Sequence, residues 1–236
     1  MEPGQRIVVH GAAGRMGQAL LRLAADEPRL EVVAAVTRRP PQRVIDGVPW
    51  FAASEVQALP AFDVAVDFSL PQAFDAMLEA CAARGAALVS GTTGLSPGQQ
   101  GALDAAAGGI PLLWAANFSL GVAMLRRLAG VAASGLRGWD CDIIEQHHAG
   151  KRDAPSGTAL ALAQALQTVG AQPRHASVRA GDIVGEHTVQ FTAAGERLEL
   201  VHRASDRAVF AAGALHAARW LAGRPPGRYS IDDVLG

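Results

Sequence analysis

Short runs of β-branched residues alternate with longer stretches rich in Ala and Leu over residues 6–116. This alternation is typical of strand–helix–strand units, in which successive strands lie parallel within one sheet. The first unit illustrates the pattern, because Ile7–His10 has the composition of a strand and Arg15–Ala25 places its apolar residues on one helical face. We therefore predict that this half of the chain forms an α/β domain with a doubly wound parallel sheet.

Further strands and helices follow the same pattern. The remaining predicted strands of this half are Leu30–Val36, a weak one at Val48–Ala52, Val64–Asp67, Ala87–Ser90 and Leu112–Ala115. One helix is predicted to begin at Pro71 and stop at Gly85, and another to span Pro97–Ala107. Pro is favoured in the first turn of a helix and Gly just beyond the last, so both kinds of boundary have a physical basis.

The pattern changes after Asn117. The predicted elements there are helices at Val122–Ala133, Thr158–Val169 and Arg207–Leu221 and a strand at Cys141–Glu145. Three strand-like segments, Ser177–Ala180, Thr188–Thr192 and Leu198–Val201, follow one another across short connections that contain Gly, which suggests an antiparallel sheet. We therefore expect a second domain, of the α+β class.

Composition excludes several classes of protein. The chain of 236 residues is 50% apolar and 18% charged, which is too apolar for disorder, and its net charge of −1 gives no general basic field for nucleic acid or an anionic membrane. Apolar runs end well before the roughly 20 residues that cross a bilayer, and no secretory signal is readable. Cys81 and Cys141 lack the spacing of a zinc site or a disulfide framework. We expect a soluble protein of the cytoplasm.

A glycine-rich turn follows the first predicted strand and opens the first predicted helix, with the sequence GAAGRMG at 11–17. Glycines at such a turn let a pyrophosphate approach the free N–H groups of the helix N-terminus, as in Rossmann-like dinucleotide-binding folds. The spacing is GxxGxxG rather than GxGxxG, and the alternative is a helix-packing turn without a ligand. The cofactor contacts expected here are Gly11, Ala12, Ala13, Gly14, Arg15 and Met16.

Two arginines occupy the position where NAD-binding folds usually place an acidic residue. That acid follows the glycine turn by about 20 residues and binds the ribose hydroxyls. Here the sequence reads Thr37-Arg38-Arg39, so no carboxylate repels a 2′-phosphate and two guanidiniums are available to bind it. This favours NADPH, with NADH use also open. The alternative is that Arg38 and Arg39 are solvated loop charges.

Three further motifs lie where predicted parallel strands end: DFS at 67–69, GTTG at 91–94 and ANFS at 116–119. Ligands of open α/β sheets bind at this edge, so the shared location favours a cofactor role over ordinary turn chemistry. Thr hydroxyls could bond a carboxamide, and glycines allow a ring to lie against the backbone. The residues assigned to the cofactor here are Phe68, Gly91, Thr92, Thr93, Ala116, Asn117 and Phe118.

The densest group of reactive side chains lies between a predicted strand and a predicted helix, with the sequence EQHHAGKRDAPSGT at 145–158. Ser156 or Thr158 at the helix start and the charge of Lys151 suit a carboxylate, and a His can supply a proton near neutral pH. The alternative for the adjacent His pair is one buried and one surface imidazole. A zinc site lacks a convincing third ligand nearby, although His175, His187 and His202 stay open. We therefore predict no metal.

These motifs together resemble one family. The chain is similar to the dihydrodipicolinate reductases, also called 4-hydroxy-tetrahydrodipicolinate reductases, which are pyridine-nucleotide enzymes of lysine and diaminopimelate biosynthesis. The similarity covers nearly the whole chain, and its most specific part is Glu145-x-His147-His148-x-x-Lys151 followed by DAPSGT. The other matching segments are Gly14–Gly17, Asp67–Ser69, Gly91–Gly94, Ala116–Ser119, Arg179–His187 and His202–Ser205.

The resemblance implies a reaction and an assembly. It implies hydride transfer from NAD(P)H to a cyclic imine dicarboxylate, with His147 as the general acid and Lys151 as its cationic partner. The implied substrate-binding residues are His148, Lys151, Gly157 and Thr158, to which the helix start adds Ser156. It also implies a homotetramer, a dinucleotide-binding domain at 1–117 plus 204–236, and a substrate-binding and oligomerisation domain at 118–203.

Two other functions stay open at this point. Fold does not determine substrate, so another NADP-dependent reductase of small acids, such as an imine or amino-acid dehydrogenase, would share the same architecture. An NADP-binding redox sensor is the alternative outside enzymes. The set of His147, His148 and Lys151 argues against a sensor, because a sensor needs no general acid.

Overall fold

The structure, a computed structural model, describes residues 4–41 and 47–236. Two compact units make up the chain. The first contains the residues up to Phe118 together with Phe210–Val234 and Gly236, and the second contains Ser119–Val209 and Leu235. The roles expected for the two domains stay predictions.

Eleven strands and seven α-helices lie within the described residues. The strands are β1 (Gln5–His10), β2 (Leu30–Thr37), β3 (Trp50–Ala52), β4 (Val64–Asp67), β5 (Ala87–Ser90), β6 (Pro111–Trp114), β7 (Asp140–His147), β8 (Arg174–Arg179), β9 (Gly185–Ala193), β10 (Glu196–Ala204) and β11 (Gly227–Tyr229). The helices are α1 (Arg15–Ala25), α2 (Pro71–Arg84), α3 (Pro97–Ala106), α4 (Leu120–Gly135), α5 (Gly157–Thr168), α6 (Ala208–Leu221) and α7 (Ile231–Leu235), with a 3-10 helix at Ala53–Ala58. No helix in the described part of the chain is long and apolar enough to cross a membrane.

The first unit contains a seven-stranded sheet in the order β11-β6-β5-β4-β1-β2-β3. Every neighbouring pair is parallel. From β1 the chain builds outward through β2 to β3, and on the other side of β1 it continues through β4, β5 and β6. The doubly wound parallel sheet is therefore confirmed, and the strand order reverses between β1 and β4, which is where such sheets bind ligands.

Buried apolar strands explain why this sheet forms. All four residues of β4 and of β5 are buried, as expected for parallel strands that are covered on both faces. The side chains of Phe74 and Met77 on α2 pack with Val8, Ala65 and Leu88 in one core cluster. Gly85 ends α2 with a φ of 65°, a left-handed conformation that Gly adopts readily.

The second unit contains a four-stranded sheet in the order β10-β9-β7-β8. The antiparallel arrangement predicted for its last three strands is wrong in one respect. β9 pairs antiparallel with both β10 and β7, but β8 pairs parallel with β7 and not with β9. The reason is the connection: α5 joins β7 to β8 as a crossover, which is the link that parallel strands need. The second sheet is therefore mixed.

Strand alternation gives this sheet two different faces. Ile143, Val189 and Phe191 are buried with apolar residues of α4 and α5. Residues at the next positions along the strands point to the opposite face, where Val178 and Val201 are 41% and 42% exposed. The reactive residues near the end of β7 lie on the buried face, because their positions continue the alternation of Ile143.

Candidate active site

The glycine turn between β1 and α1 is shaped by backbone contacts. Gly11 has a φ of 80°, and a Cβ atom there would lie 2.4 Å from the carbonyl oxygen of Phe68. Gly14 precedes α1 without a side-chain hydrogen bond to the helix, and the first turn holds no acidic residue. The free N–H groups at the start of α1 therefore suit an anion such as a pyrophosphate. Arg15 is exposed and Met16 is half-buried in the first turn.

Replacing Gly17 with Ala is expected to damage this turn. The added Cβ would lie 2.3 Å from the carbonyl oxygen of Gly11 and 2.5 Å from the Cα of Ala12, both of which belong to the backbone. We expect the free energy of unfolding to fall by about 1–3 kcal/mol, as for other overpacked sites. Gly101→Ala in α3 is the matched control in a urea titration, because its Cβ meets no atom within 4 Å and should stabilise the helix. Equal effects of the two changes would contradict the tight-turn interpretation.

A buried carboxylate holds together the strand ends beside this turn. Asp67, at the end of β4, accepts hydrogen bonds of 2.8 Å from the hydroxyls of Ser90 and Thr92, and its other oxygen lies 2.9 Å from Nδ1 of His10. Burial alone raises the pKa of Asp67, but His10, Ser69 and Ser90 outweigh burial and lower it. The Thr92 hydroxyl is therefore used internally. Of the two neighbouring threonines, Thr92 is buried and Thr93 is exposed.

Aromatic rings occupy the same edge of the sheet. A Cβ on Gly91 would lie 2.2 Å from the Phe68 ring, so this glycine makes room for Phe68. The rings of Phe68 and Phe118 lie 5.5 Å apart in a tilted arrangement. Ala116 is exposed and Asn117 is half-buried beside them. Arg38 and Arg39 follow β2 directly and are exposed.

In the second unit, Glu145 and His147 form a pair on the buried face of β7. Residues two apart on a strand point to the same side, which is why the spacing brings them together. Glu145 is fully buried, and its Oε2 atom accepts a hydrogen bond from Nδ1 of His147. Burial lowers the pKa of His147, Glu145 opposes that shift, and Lys151 and Arg179 add to it.

The other oxygen of Glu145 binds a guanidinium from the neighbouring strand. Arg179, at the end of β8, donates from Nη2 to Oε1 of Glu145 at 2.7 Å. Burial raises the pKa of Glu145, but hydrogen bonds from Arg179, Ser177 and His147 outweigh burial and bring it to about 2. The carboxylate is thus ionised at neutral pH.

A second imidazole packs against the first. The rings of His147 and His187 lie 5.2 Å apart, edge to face. Nε2 of His187 lies 3.4 Å from the hydroxyl of Ser156, which caps α5 by accepting a hydrogen bond from the Ala159 N–H. Burial, followed by the influence of His147, lowers the pKa of His187 to about 4. His187 is therefore neutral at physiological pH.

The low pKa of His187 predicts a pH-dependent stability. Between about pH 6.5 and 4 the unfolded chain binds a proton that the folded protein does not, so the free energy of unfolding falls as the pH falls. We expect His187→Gln to remove about 2 kcal/mol of that decrease in urea titrations at pH 7 and pH 4. His175→Gln, at an exposed position on β8, is the control. An unchanged pH dependence in the His187 variant would refute the prediction.

The predicted carboxylate-binding residues lie around the start of α5. Lys151 donates to both oxygens of Asp153 at 2.8 Å and keeps part of its side chain accessible. Gly157 is exposed, and Thr158 and His148 are half-buried. No acidic residue occupies the first turn of α5. Asp153 thus balances the charge of Lys151 and accepts a hydrogen bond from the Gly157 backbone, so a carboxylate already lies at the place predicted for a substrate carboxylate.

Glu145, His147 and His187 each offer a ligand atom, and these atoms lie within 4.8 Å of one another. Both oxygens of Glu145 are already bound, one to His147 and one to Arg179. Two cationic side chains, Arg179 and Lys151, influence the same imidazole. These contacts explain the cluster as a hydrogen-bonded network.

Several of these residues carry no functional signal of their own in the sequence. The spacing of Glu145 and His147 was the available signal for their pairing. Arg179 lies on β8 and His187 on β9, and no local sequence pattern indicates that these two strands flank β7. Asp67 was noted at a strand end, but its bonds to two hydroxyls depend on the alignment of β4 with β5.

Comparison with known proteins identifies the family. Family models described as "Dihydrodipicolinate reductase, N-terminus" and "Dihydrodipicolinate reductase, C-terminus" match residues 5–118 and 121–235. The chain belongs to the dihydrodipicolinate reductase family. The family resemblance predicted from the sequence is thereby confirmed.

Curated members of the dihydrodipicolinate reductase family are similar along their whole length. A 4-hydroxy-tetrahydrodipicolinate reductase from Stenotrophomonas maltophilia (strain R551-3) is 65% identical over 232 residues, which cover 98% of this chain and 97% of the relative. One from Xylella fastidiosa (strain 9a5c) is 57% identical over 236 residues, covering both chains completely.

Solved structures share the fold. A dipicolinate-bound dihydrodipicolinate reductase from Paenisporosarcina sp. TG-14 gives a TM-score of 0.84 at 23% identity, covering 96% of this chain and 97% of that one. GenD2 from gentamicin A biosynthesis, solved in complex with NAD, gives 0.67 at 15% identity, covering 100% and 91%. Family membership and this fold together indicate a nicotinamide cofactor. The individual site residues stay predictions.

Proposed function

We propose that this protein is a 4-hydroxy-tetrahydrodipicolinate reductase. It uses NAD(P)H to reduce a cyclic imine dicarboxylate to tetrahydrodipicolinate, a step of lysine and diaminopimelate biosynthesis. The observation that carries this conclusion is the similarity to curated reductases of that name, 65% identical over 98% of the chain. The buried Glu145–His147 pair and Lys151 in the second unit supply groups that such a reaction needs.

The first unit has the features that a nicotinamide nucleotide requires. The helix start at Gly14 lacks a side-chain cap, and Gly11 lies directly against the backbone of Phe68. Gly11–Met16 would hold the pyrophosphate, and Phe68, Thr93 and Asn117 lie at the sheet edge that receives the rest of the nucleotide. When bound, the reduced nucleotide supplies the hydride.

The second unit binds and protonates the substrate. A dicarboxylate needs two anion-binding groups, and the proposed ones are Lys151 and the first turn of α5 at Gly157 and Thr158, where a substrate carboxylate replaces Asp153. Ser156 holds the first turn of α5 in place, and His148 lies nearby in sequence. Cationic His147 donates the Nε2 proton that completes the reduction and is left neutral, with its remaining proton on Nδ1, which is bound to Glu145.

NADPH is the preferred nucleotide in this proposal. Arg38 and Arg39 are exposed directly after β2, and buried Thr37 puts no carboxylate beside them. We expect the double change of Arg38 and Arg39 to Ala to raise the KM for NADPH about 10-fold or more, because charged hydrogen bonds to phosphate are strong. The KM for NADH should stay the same, since it lacks the 2′-phosphate. A similar rise in the KM for NADPH and for NADH would reject the phosphate-binding role of Arg38 and Arg39.

Four copies of the chain form the active assembly in this proposal. The open face of the second sheet presents Ile144, Val178, Thr188 and Val201, a mixed surface suited to burial against another sheet. Sedimentation equilibrium checks the tetramer. A cytoplasmic location fits the two cysteines, Cys81 and Cys141, which are both buried and unpaired.

Binding of pyridine-2,6-dicarboxylate tests the proposed substrate class. This flat dicarboxylate resembles the substrate, and titration calorimetry in the presence of NADPH should show saturable binding. Lys151→Ala should weaken it, while Arg152→Ala, at the exposed neighbouring position, should not. Absence of binding at millimolar concentration would favour a different small-acid reductase or a sensor.

A further inference from the structure

The network behind His147 extends beyond Glu145. A fully buried carboxylate is costly to ionise unless both of its oxygens have partners. In Glu145 one oxygen faces His147 and the other faces Arg179 at 2.7 Å. The guanidinium is therefore the group that balances the charge of the Glu145 carboxylate.

Arg179 is itself held in place. Its Nη1 atom donates to the carbonyl of Val178 at 2.7 Å, and its Nη2 atom also donates to the carbonyl of Asp153 at 2.6 Å. Its side chain is only 17% exposed. Asp153 in turn binds Lys151, so one guanidinium connects the proton-donor pair with the loop that holds the substrate-binding lysine.

The orientation of the imidazole follows from this network. With Glu145 ionised, the proton of neutral His147 lies on Nδ1, since a carboxylate only accepts hydrogen bonds. Nε2 then lies beside Gly185, where an added Cβ would come within 3.1 Å of it. A side chain at position 185 would therefore crowd this nitrogen.

We propose that Arg179 is a positioning residue for His147. By binding the Glu145 oxygen that faces away from the imidazole, it keeps the carboxylate ionised, holds the Nδ1 proton on the Glu145 side and leaves Nε2 as the proton-exchanging atom. The inference rests on the proposed function, in which His147 is the acid. The charged or titratable groups around the imidazole are Glu145, Lys151, Arg179 and His187.

The two partners of this ion pair affect His147 in opposite directions. Arg179 is a cation, so Arg179→Met should raise the pKa of His147. Glu145 is an anion, so Glu145→Gln should lower the pKa of His147. A general loss of structure would not move the two variants in opposite directions.

Nitrogen NMR of the ¹⁵N-histidine-labelled protein tests the proposal. The His147 resonances are assigned by their loss in His147→Gln, and neutral His147 should be the Nδ1–H tautomer. Arg179→Lys retains the charge and should restore the pKa of His147 toward its wild-type value. Arg174→Met is the matched control, because Arg174 makes a 2.7 Å ion pair with Asp142 on the same two strands, away from His147. It should leave the titration of His147 unchanged.

Steady-state kinetics on the same variants separates the two proposals. Arg179→Met should lower kcat about tenfold, because Glu145 and the imidazole lose their fixed positions, although the higher pKa of His147 favours its proton-donating form. Arg179→Lys should recover most of kcat, and Arg174→Met should leave it unchanged. An Nε2–H tautomer in the wild type, or equal behaviour of Arg179→Met and Arg174→Met, would overturn the positioning role. The pKa of His147 could also move in opposite directions in Arg179→Met and Glu145→Gln while the wild-type protein does not reduce the substrate. That result would support the coupling and overturn the proposed function.

Discussion

Replacing His147 with Gln is expected to lower kcat by about 10²–10⁴-fold, the usual contribution of a general acid. Gln keeps the size and polarity of the side chain and can still bond Glu145, but it cannot deliver a proton. The dissociation constant for NADPH should change little, because the predicted nucleotide contacts belong to the first unit. Stopped-flow single turnovers and a fluorescence titration with NADPH measure the two effects separately.

The control for this change is His175→Gln, an exposed position on β8 of the same sheet. It should retain wild-type turnover. Near-normal turnover in His147→Gln would remove His147 from its assigned role. A parallel loss of NADPH binding would instead indicate that the variant is misfolded, which circular dichroism checks.

Replacing Lys151 with Ala is expected to damage both substrate binding and turnover. Lys151 is the cation beside the start of α5, and a charged hydrogen bond to a carboxylate is worth about 1.5–3 kcal/mol. We expect kcat/KM to fall about 10–100-fold, with a higher KM and a lower kcat. The loss should be larger for the substrate than for NADPH.

Arg152→Ala is the matched control for Lys151, since it removes a positive charge from the next residue, which is exposed. A similar loss in both variants would mean that the general charge of the loop matters rather than the position of Lys151. Normal kinetics in Lys151→Ala would exclude Lys151 from substrate binding.

Most of the first unit was predictable because its parallel strands are buried on both faces. β4 and β5 read as short apolar runs, and the structure has them at the predicted bounds, Val64–Asp67 and Ala87–Ser90. The helix predicted at Arg15–Ala25 is also confirmed. β11 and α7 were not predicted, since a strand of three residues such as Gly227–Tyr229 gives no periodic signal.

The second unit was harder to predict because its strand pairing is not local. β8 is exposed at five of its six positions, so its sequence carries no apolar alternation that specifies a neighbour. Its pairing depends on the crossover through α5. For the same reason Arg179 could not be placed beside Glu145. The pairing of Glu145 with His147 was not predicted either, because the strand predicted at Cys141–Glu145 in fact runs from Asp140 to His147.

The most direct test of the proposed function is nicotinamide oxidation by the purified protein. A synthase supplies fresh substrate from pyruvate and aspartate semialdehyde, and absorbance follows NADPH and NADH in parallel reactions. We predict rapid oxidation that requires the synthase, that is faster with NADPH, and that is lost in His147→Gln. No synthase-dependent oxidation with either nucleotide would contradict the assignment as a reductase of this substrate.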